Sequence, residues 1–214
     1  MLRVGHGGAG AVARANTLAS FDAALELGVD MIEFDVRVRR GRLVVAHTPF
    51  DARVPGCLSL DRALAHLATP RFAELRFDAD VKQIGGEAAL LYALERSGLT
   101  DRVLVSSQLM GVLDRVRALD PSVRTGVSIG GRVLRHLQRW GGWRAGVLEA
   151  VAARRFDAVM AHHTLVDATL SEAVRERGGE LFAWTVDDRA GIARLRDAGV
   201  TGVITNDPRL FATA

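Results

Sequence analysis

The chain has 214 residues, of which 49% are hydrophobic and 25% charged, a composition typical of a globular protein with one core. It contains no run of about 18 apolar residues, which excludes a membrane-spanning helix. The single cysteine, Cys57, excludes an internal disulfide bond and favours a reducing, cytoplasmic location.

The basic balance of the chain, with a net charge of +3 and a pI near 9.9, would help to attract an anionic substrate. Its arginines are scattered rather than clustered, so we expect a small-molecule partner and no nucleic acid. Lys82 is the only lysine, and either its compact ammonium is required or it has been kept by chance.

Short apolar, β-branched runs alternate along the chain with amphipathic segments of about ten to fifteen residues, the pattern of βα units. The first helix is predicted to begin after a cap at Asn16-Thr17 and to end at Gly28. The predicted strands are Leu2–His6, Asp30–Val38, Leu43–His47, Arg76–Lys82, Arg102–Ser107, Arg124–Ile129, Ala158–His162, Leu181–Val186 and Gly202–Thr205.

One connection is too short for a helix. Between Asp35 and His47 the sequence offers only a turn at Arg40-Gly41, which predicts a β-hairpin. In that hairpin Asp35 lies opposite Ala46, so His47 returns to the neighbourhood of the carboxylates of the second strand.

Eight strands with helical connections remain when the return strand of the hairpin is set aside. This count predicts a closed (β/α)8 TIM-type barrel of the α/β class, with the hairpin after strand 2. We expect a single domain over residues 1–214, and an open doubly wound sheet is the alternative.

Catalytic residues of such barrels lie at the C-terminal ends of the strands. His6 ends the first strand, and Glu33 and Asp35 leave the same face of the second. Because the residues around these two carboxylates are apolar, the carboxylates need a partner. A hard cation such as Mg²⁺ or Ca²⁺ would satisfy both, and pairing with arginines is the alternative.

The strand Arg76–Lys82 alternates strictly, so Asp78, Asp80 and Lys82 share one face. Such a strand can line the polar mouth of a barrel, and the alternative is a half-exposed antiparallel strand. We expect Asp80 to be a third metal ligand and Lys82 to bind a phosphate.

His6 and His47 both end strands that approach the same carboxylates. Two imidazoles beside a phosphate can act as general base and general acid. The pair His162-His163 also ends a strand and either lines the pocket or is structural. Two acidic residues in loops after strands are expected only to cap helices: Asp187 and Asp207.

Several short motifs follow one another in a characteristic order: His6-Gly7-Gly8, Arg14-Ala15-Asn16-Thr17, Glu33-Phe34-Asp35-Val36, Val44-Val45-Ala46-His47-Thr48, Asp80-Val81-Lys82, Trp184-Thr185-Val186 and Gly199-Val200-Thr201-Gly202-Val203-Ile204-Thr205. With these motifs the sequence resembles the glycerophosphodiester phosphodiesterases, whose fold is the PLC-like phosphodiesterase barrel. The resemblance runs through nearly the whole chain.

The resemblance implies hydrolysis of glycerophosphodiesters to glycerol 3-phosphate and an alcohol. It implies one divalent metal, Mg²⁺ or Ca²⁺, held by Glu33, Asp35 and Asp80, and an acid–base pair formed by His6 and His47. The neighbouring glycerol hydroxyl would attack the phosphorus, with a cyclic phosphate as intermediate.

Further positions concern substrate binding. By the same resemblance Lys82 and Trp184 contact the substrate, although Trp184 is alternatively an ordinary core residue. The sequence departs from the family pattern where Gly7 replaces an arginine, Ala15 a glutamate and Thr48 an aspartate. Loss of the arginine removes a bidentate phosphate contact, which Lys82 replaces only in part.

Two alternatives remain for the function: a lysophospholipase D-like lipid phosphodiesterase that uses the same residues, and a catalytically silent barrel that binds phosphodiesters. Other barrel enzymes, such as isomerases or aldolases, are a more distant possibility. We expect no stable membrane insertion, and the sequence leaves the oligomeric state open.

Overall fold

The structure is a computed structural model that describes residues 1–130 and 142–212. Its strands are β1 (Leu2–Gly5), β2 (Met31–Arg39), β3 (Arg42–Val45), β4 (Arg76–Val81), β5 (Val103–Ser107), β6 (Arg124–Ile129), β7 (Ala158–His162), β8 (Glu180–Trp184) and β9 (Gly202–Thr205). Its helices are α1 (Leu18–Glu26), α2 (Leu60–Leu67), α3 (Glu87–Ser97), α4 (Met110–Leu119), α5 (Trp143–Ala152), α6 (Ala168–Glu176) and α7 (Arg189–Asp197).

The parallel strands close into a barrel. They follow one another around the sheet from β1 through β2 and β4 to β9, and β9 pairs with β1 again. The predicted (β/α)8 barrel is therefore confirmed for the described residues, and the open-sheet alternative is wrong. Within the same part of the chain, no helix has the length and apolar character needed to span a bilayer.

The hairpin has the predicted register. β3 runs antiparallel to β2, with Arg39 paired to Arg42, and the backbone N–H of Ala46 donates to the carbonyl of Asp35 at 3.0 Å. Only the first residues of β2 pair with β1, so β3 occupies the same edge of β2 beyond the point where β1 ends. The chain after β3 is thereby brought back to the mouth of the barrel.

The alternation of β4 separates a helix-packed face from the barrel interior. Phe77, Ala79 and Val81 are buried in the core beneath the surrounding helices. On the opposite face, Asp78 and Asp80 lie level with Glu33 and Asp35 of β2. The interior is thus acidic near the mouth, and a layer of apolar side chains lies deeper: Val4, Met31, Leu104, Met160, Phe182 and Ile204.

An ion-pair network closes the bottom of the barrel. The Glu180 carboxylate of β8 accepts hydrogen bonds from Arg76 of β4, at 3.1 Å, and from Arg124 of β6. Burial alone would raise the pKa of Glu180, but the hydrogen bonds from the two guanidinium groups outweigh it and hold the pKa below its usual value. Three alternate strands are joined by this network.

Replacing Glu180 with Gln leaves the two guanidinium groups without their carboxylate, so we expect the free energy of unfolding to fall by about 1–2 kcal/mol at neutral pH. Because the folded-state pKa is lowered, the contribution of Glu180 is complete above its unfolded value of about 4.3. It is lost as the pH falls through the lower, folded value. Urea denaturation at several pH values should show the variant and wild type converging in acid.

Glu74→Gln is the matched control, because Glu74 is exposed and lies just before β4. It should leave the free energy of unfolding nearly unchanged at every pH. A loss in Glu180→Gln that stays the same size in acid would contradict the ionic origin of the effect.

Candidate active site

The five residues predicted to carry the chemistry lie together at the mouth of the barrel. Glu33 and Asp35 project from β2, and Asp80 projects from the neighbouring β4 in register with Asp35. Each residue offers one carboxylate oxygen, and these three oxygens lie within 4.8 Å of one another. His6 follows β1 and His47 follows β3, with their ring centroids 6.3 Å apart. Their catalytic and metal-binding roles stay predictions at this point.

Glu33 is almost completely buried. Its Oε2 accepts a hydrogen bond from the backbone N–H of Gly7 at 2.7 Å. Burial, and then the nearby charge of Asp35, raise the pKa of Glu33 to about 7. Without a cation the site therefore tends to hold a proton at Glu33.

Asp35 has several hydrogen-bond donors around it. Asn16 donates its Nδ2–H to Oδ2 at 2.7 Å, and Lys82 lies 2.8 Å from Oδ1. His47 Nδ1 is 3.2 Å from both carboxylate oxygens. Burial alone would raise the pKa of Asp35, but the His47 hydrogen bond and the Lys82 charge outweigh it and lower the pKa. Asp35 is therefore ionised.

Lys82 bridges two acidic side chains, Asp35 and Asp80. Burial would lower its pKa, but the charges of Asp80, Asp35 and Glu33 more than compensate, so the pKa is raised and the ammonium stays protonated. Burial raises the pKa of Asp80 despite this contact. The predicted phosphate-binding lysine thus lies inside the acidic cluster.

Asp78 adds a fourth carboxylate one level deeper, beside Glu33. It is buried, and within the described residues neither of its carboxylate oxygens has a hydrogen-bond partner. Burial, and then Asp80 and Glu33, raise the pKa of Asp78 well above its usual value. The sequence placed Asp78 on this face without giving it a role.

The cluster fits a hard divalent cation. Its donors are carboxylate oxygens, the ligands that Mg²⁺ and Ca²⁺ prefer. One of them, Oδ1 of Asp80, is buried and lacks a hydrogen-bond partner within the described residues, which is the state expected of an atom that ligates a metal. Together with Glu33 and Asp35, Asp80 provides a group that could hold one ion.

The two histidines are held through Nδ1, each by a different kind of partner. His6 Nδ1 lies 2.7 Å from Oδ1 of Asn206, whereas His47 Nδ1 faces the Asp35 carboxylate. Burial would lower the pKa of His6, but Glu33 and the Asn206 hydrogen bond raise it above its usual value. The hydrogen bond to Asp35 likewise raises the pKa of His47.

A cavity of about 250 Å³ opens over this cluster. Trp184 forms part of its wall and donates its indole N–H to the carbonyl of Met160 at 2.9 Å, which fixes the ring. The His162 ring packs edge-on against Trp184 at 5.4 Å and is not among the residues that line the cavity. The lining includes Lys82, Ser106, Gln108, Ser128, Thr185 and Ile204.

Sequence reasoning missed part of the site. The predicted cap at Asn16-Thr17 is confirmed at Thr17, whereas the contact of Asn16 with Asp35 was not predicted. The prediction that Asp187 caps a helix is wrong, because Asp188 caps α7. Asp187 instead binds Asn206, while Asp207 does cap the turn that follows it. The motif Asn16-Thr17 was a signal for the contact of Asn16 with Asp35, whereas no local sequence pattern marks the contact between Asp187 and Asn206.

Two of the departures from the family pattern are spatial neighbours. A Cβ atom added at Gly7 would lie 2.8 Å from the Cβ of Ala15, and Gly7 has a φ of +57°. An arginine at position 7 would therefore be strained and crowded.

Asn16→Ala should lower the free energy of unfolding by about 2–3 kcal/mol, because Asp35 loses two hydrogen bonds and alanine tolerates the φ of +63° at this position poorly. Denaturant titration gives the value. Asn16→Gly is the matched control, since glycine adopts this φ freely and isolates the hydrogen-bond part. If both variants are as stable as wild type, Asn16 does not support Asp35.

Known proteins resemble this chain in sequence and in fold. The model of the glycerophosphoryl diester phosphodiesterase family matches residues 6–83 and 76–210. A glycerophosphodiester phosphodiesterase of Caldanaerobacter subterraneus subsp. tengcongensis is 28% identical over 90% of this chain and 88% of its own length.

Solved structures share the fold. A glycerophosphodiester phosphodiesterase from Agrobacterium tumefaciens has a TM-score of 0.76 at 20% identity, over 99% of this chain and 98% of that one. A phosphodiesterase of Oleispira antarctica in complex with the product sn-glycerol-3-phosphate has a TM-score of 0.76 at 19% identity, over 98% of this chain and 94% of that one. With a family match that spans nearly its whole length, the chain belongs to the glycerophosphoryl diester phosphodiesterase family, a family of phosphoric diester hydrolases.

Proposed function

We propose that this chain hydrolyses glycerophosphodiesters to glycerol 3-phosphate and an alcohol, with one divalent cation bound by Glu33, Asp35 and Asp80. The observation that carries the proposal is the convergence of three carboxylates, two of them buried and one partly buried, and two histidines at one end of the barrel. We propose further that residues 1–214 form a single domain and that the substrate is a small molecule.

His6 and His47 would divide the proton transfers between them. His6 is bonded through Nδ1 to the amide of Asn206, and in its neutral form the ring can accept a proton through Nε2 from the attacking glycerol hydroxyl. His47 is bonded to the carboxylate of Asp35, which stabilises its imidazolium form. His47 would therefore donate a proton to the oxygen of the departing alcohol, which leaves a cyclic phosphate. Water would then open this ring, with His47 accepting the water proton and His6 returning its proton to the glycerol oxygen, to give glycerol 3-phosphate.

The charged groups around the cavity would bind the phosphate. A bound Mg²⁺ or Ca²⁺ would supply charge neutralisation at the phosphoryl oxygens. The Lys82 ammonium lies beside the same carboxylates and would contribute a second positive charge, in a chain whose position 7 lacks an arginine.

The wall of the cavity would position the rest of the substrate. The indole of Trp184 is fixed by its hydrogen bond to Met160 and offers an apolar surface beside the cluster. The catalytically silent alternative rests on the changed positions Gly7 and Ala15, but the predicted acid–base pair and the carboxylates are all present and close together, which argues against it.

The direct test is hydrolysis of glycerophosphocholine and glycerophosphoethanolamine with Mg²⁺, Ca²⁺, Mn²⁺ or EDTA, followed through the release of glycerol 3-phosphate. We expect turnover that needs a cation. His6→Gln should lower kcat by about 10²–10⁴-fold, the usual contribution of a general base. His66→Gln is the matched control, because His66 pairs with Asp22 at the surface.

Cation-independent turnover that survives His6→Gln would overturn the proposal. So would the absence of glycerol 3-phosphate with every cation while thermal melting shows a folded protein. Equal losses in the His6 and His66 variants would point to damage of the fold rather than to catalysis.

A further inference from the structure

A chain of hydrogen bonds runs from His6 away from the cavity to the loop after β8. His6 Nδ1 lies 2.7 Å from Oδ1 of Asn206, and Nδ2 of Asn206 donates to Oδ2 of Asp187 at 2.7 Å. The other carboxylate oxygen of Asp187 accepts from the backbone N–H of Asn206, at 2.8 Å, and from the hydroxyl of Thr205, at 3.0 Å. Asp187 is thus held on both oxygens.

The orientation of the Asn206 amide follows from its partner. An ionised carboxylate only accepts hydrogen bonds, so the NH₂ group of Asn206 must face Asp187. Its carbonyl oxygen therefore faces His6. The main chain of Asn206 is also tied down, because its carbonyl accepts from the N–H of Ala11 at 2.9 Å and its N–H binds Asp187.

The same logic fixes the proton on the neutral imidazole. A carbonyl oxygen at hydrogen-bond distance requires an N–H on the ring atom that faces it, so Nδ1 of His6 carries the proton. Nε2 is then the atom with the free electron pair. It points toward the acidic cluster and lies 3.9 Å from Oε2 of Glu33.

We propose that Asp187 and Asn206 are positioning residues that hold neutral His6 in its Nδ1–H tautomer, so that Nε2 presents its electron pair to the attacking hydroxyl. The proposal rests on the proposed role of His6 as the general base. Neither residue touches the substrate site, and both act only through the imidazole.

The hydrogen bond between His6 and Asn206 is not needed to hold the backbone of His6. The N–H of His6 already donates to the carbonyl of Thr205 at 2.8 Å, as a continuation of the pairing between β1 and β9. What the Asn206 side chain adds is the direction of the ring and the choice of its tautomer.

Asp187→Asn separates this role from a structural one. The asparagine side chain at position 187 keeps one oxygen, which must accept from the backbone N–H of Asn206. The new NH₂ group at position 187 therefore faces the side-chain amide of Asn206. The Asn206 amide must then turn over and present NH₂ to His6 Nδ1, which forces the proton to Nε2. We expect the tautomer to switch and kcat to fall by about 100-fold with little change in KM.

The reciprocal double variant Asp187→Asn with Asn206→Asp should reverse both effects. There the NH₂ group at position 187 donates to the carboxylate at position 206, and this carboxylate accepts the Nδ1–H of His6. Asp188→Asn is the matched control, since it removes a charge from the next residue and asparagine still caps α7.

The readout is the tautomer itself. Long-range ¹H–¹⁵N spectra distinguish the protonated from the unprotonated ring nitrogen, and His6→Gln assigns the His6 signals among the six histidines. At a pH where the ring is neutral, we expect Nδ1–H in wild type, Asp188→Asn and the double variant, and Nε2–H in Asp187→Asn.

An Nε2–H tautomer in the wild type would overturn the proposal without any variant. So would an unchanged tautomer and kcat in Asp187→Asn, or a double variant that folds but does not recover the Nδ1–H form. The spectra do not depend on turnover, so a failure of the proposed hydrolysis and a failure of this inference are distinguishable.

Discussion

Four carboxylates lie side by side at the mouth of this barrel, three of them buried and that of Asp80 partly buried, and one ammonium group, that of Lys82, lies among them. Glu33, Asp35, Asp78 and Asp80 therefore carry more negative charge than their protein neighbours balance. Removing such charges from water is costly unless they are paired or protonated. The raised pKa values of Glu33, Asp78 and Asp80 are the protein's response when no cation is bound. The divalent cation that we propose would balance this charge.

The barrel creates this concentration of charge through its register. Since β2 and β4 are neighbouring strands, their register places Glu33 beside Asp78 in one layer and Asp35 beside Asp80 in the next. The hairpin brings His47 into contact with Asp35, and His6, which follows β1, lies near Glu33. At the opposite end of the barrel, the carboxylate of Glu180 is paired with two arginines, Arg76 and Arg124. The two ends of the barrel thus differ in how completely their buried charges are paired.

The periodicity of the sequence was sufficient to predict the barrel, the hairpin and the register that sets Asp35 beside His47, because strand alternation and turn residues are local signals. It also predicted which face of β4 is acidic. It did not predict how Asn16 or Asp187 are used. Asn16 acts through a left-handed backbone conformation within a loop, and Asn206 meets a histidine 200 positions away. Such contacts depend on how loops after different strands meet, and each residue taken alone is typical of an ordinary cap or turn.

The most direct measurement is calorimetric titration of the protein with Mg²⁺ and Ca²⁺ in buffers of different ionisation enthalpy. Because the pKa of Glu33 is raised to about 7, a cation must displace its proton near neutral pH, and affinity must weaken as the pH falls. We expect one ion per chain, proton release on binding and loss of binding in Asp80→Asn. Absence of binding to the folded wild type, or binding that Asp80→Asn leaves unchanged, would contradict the account.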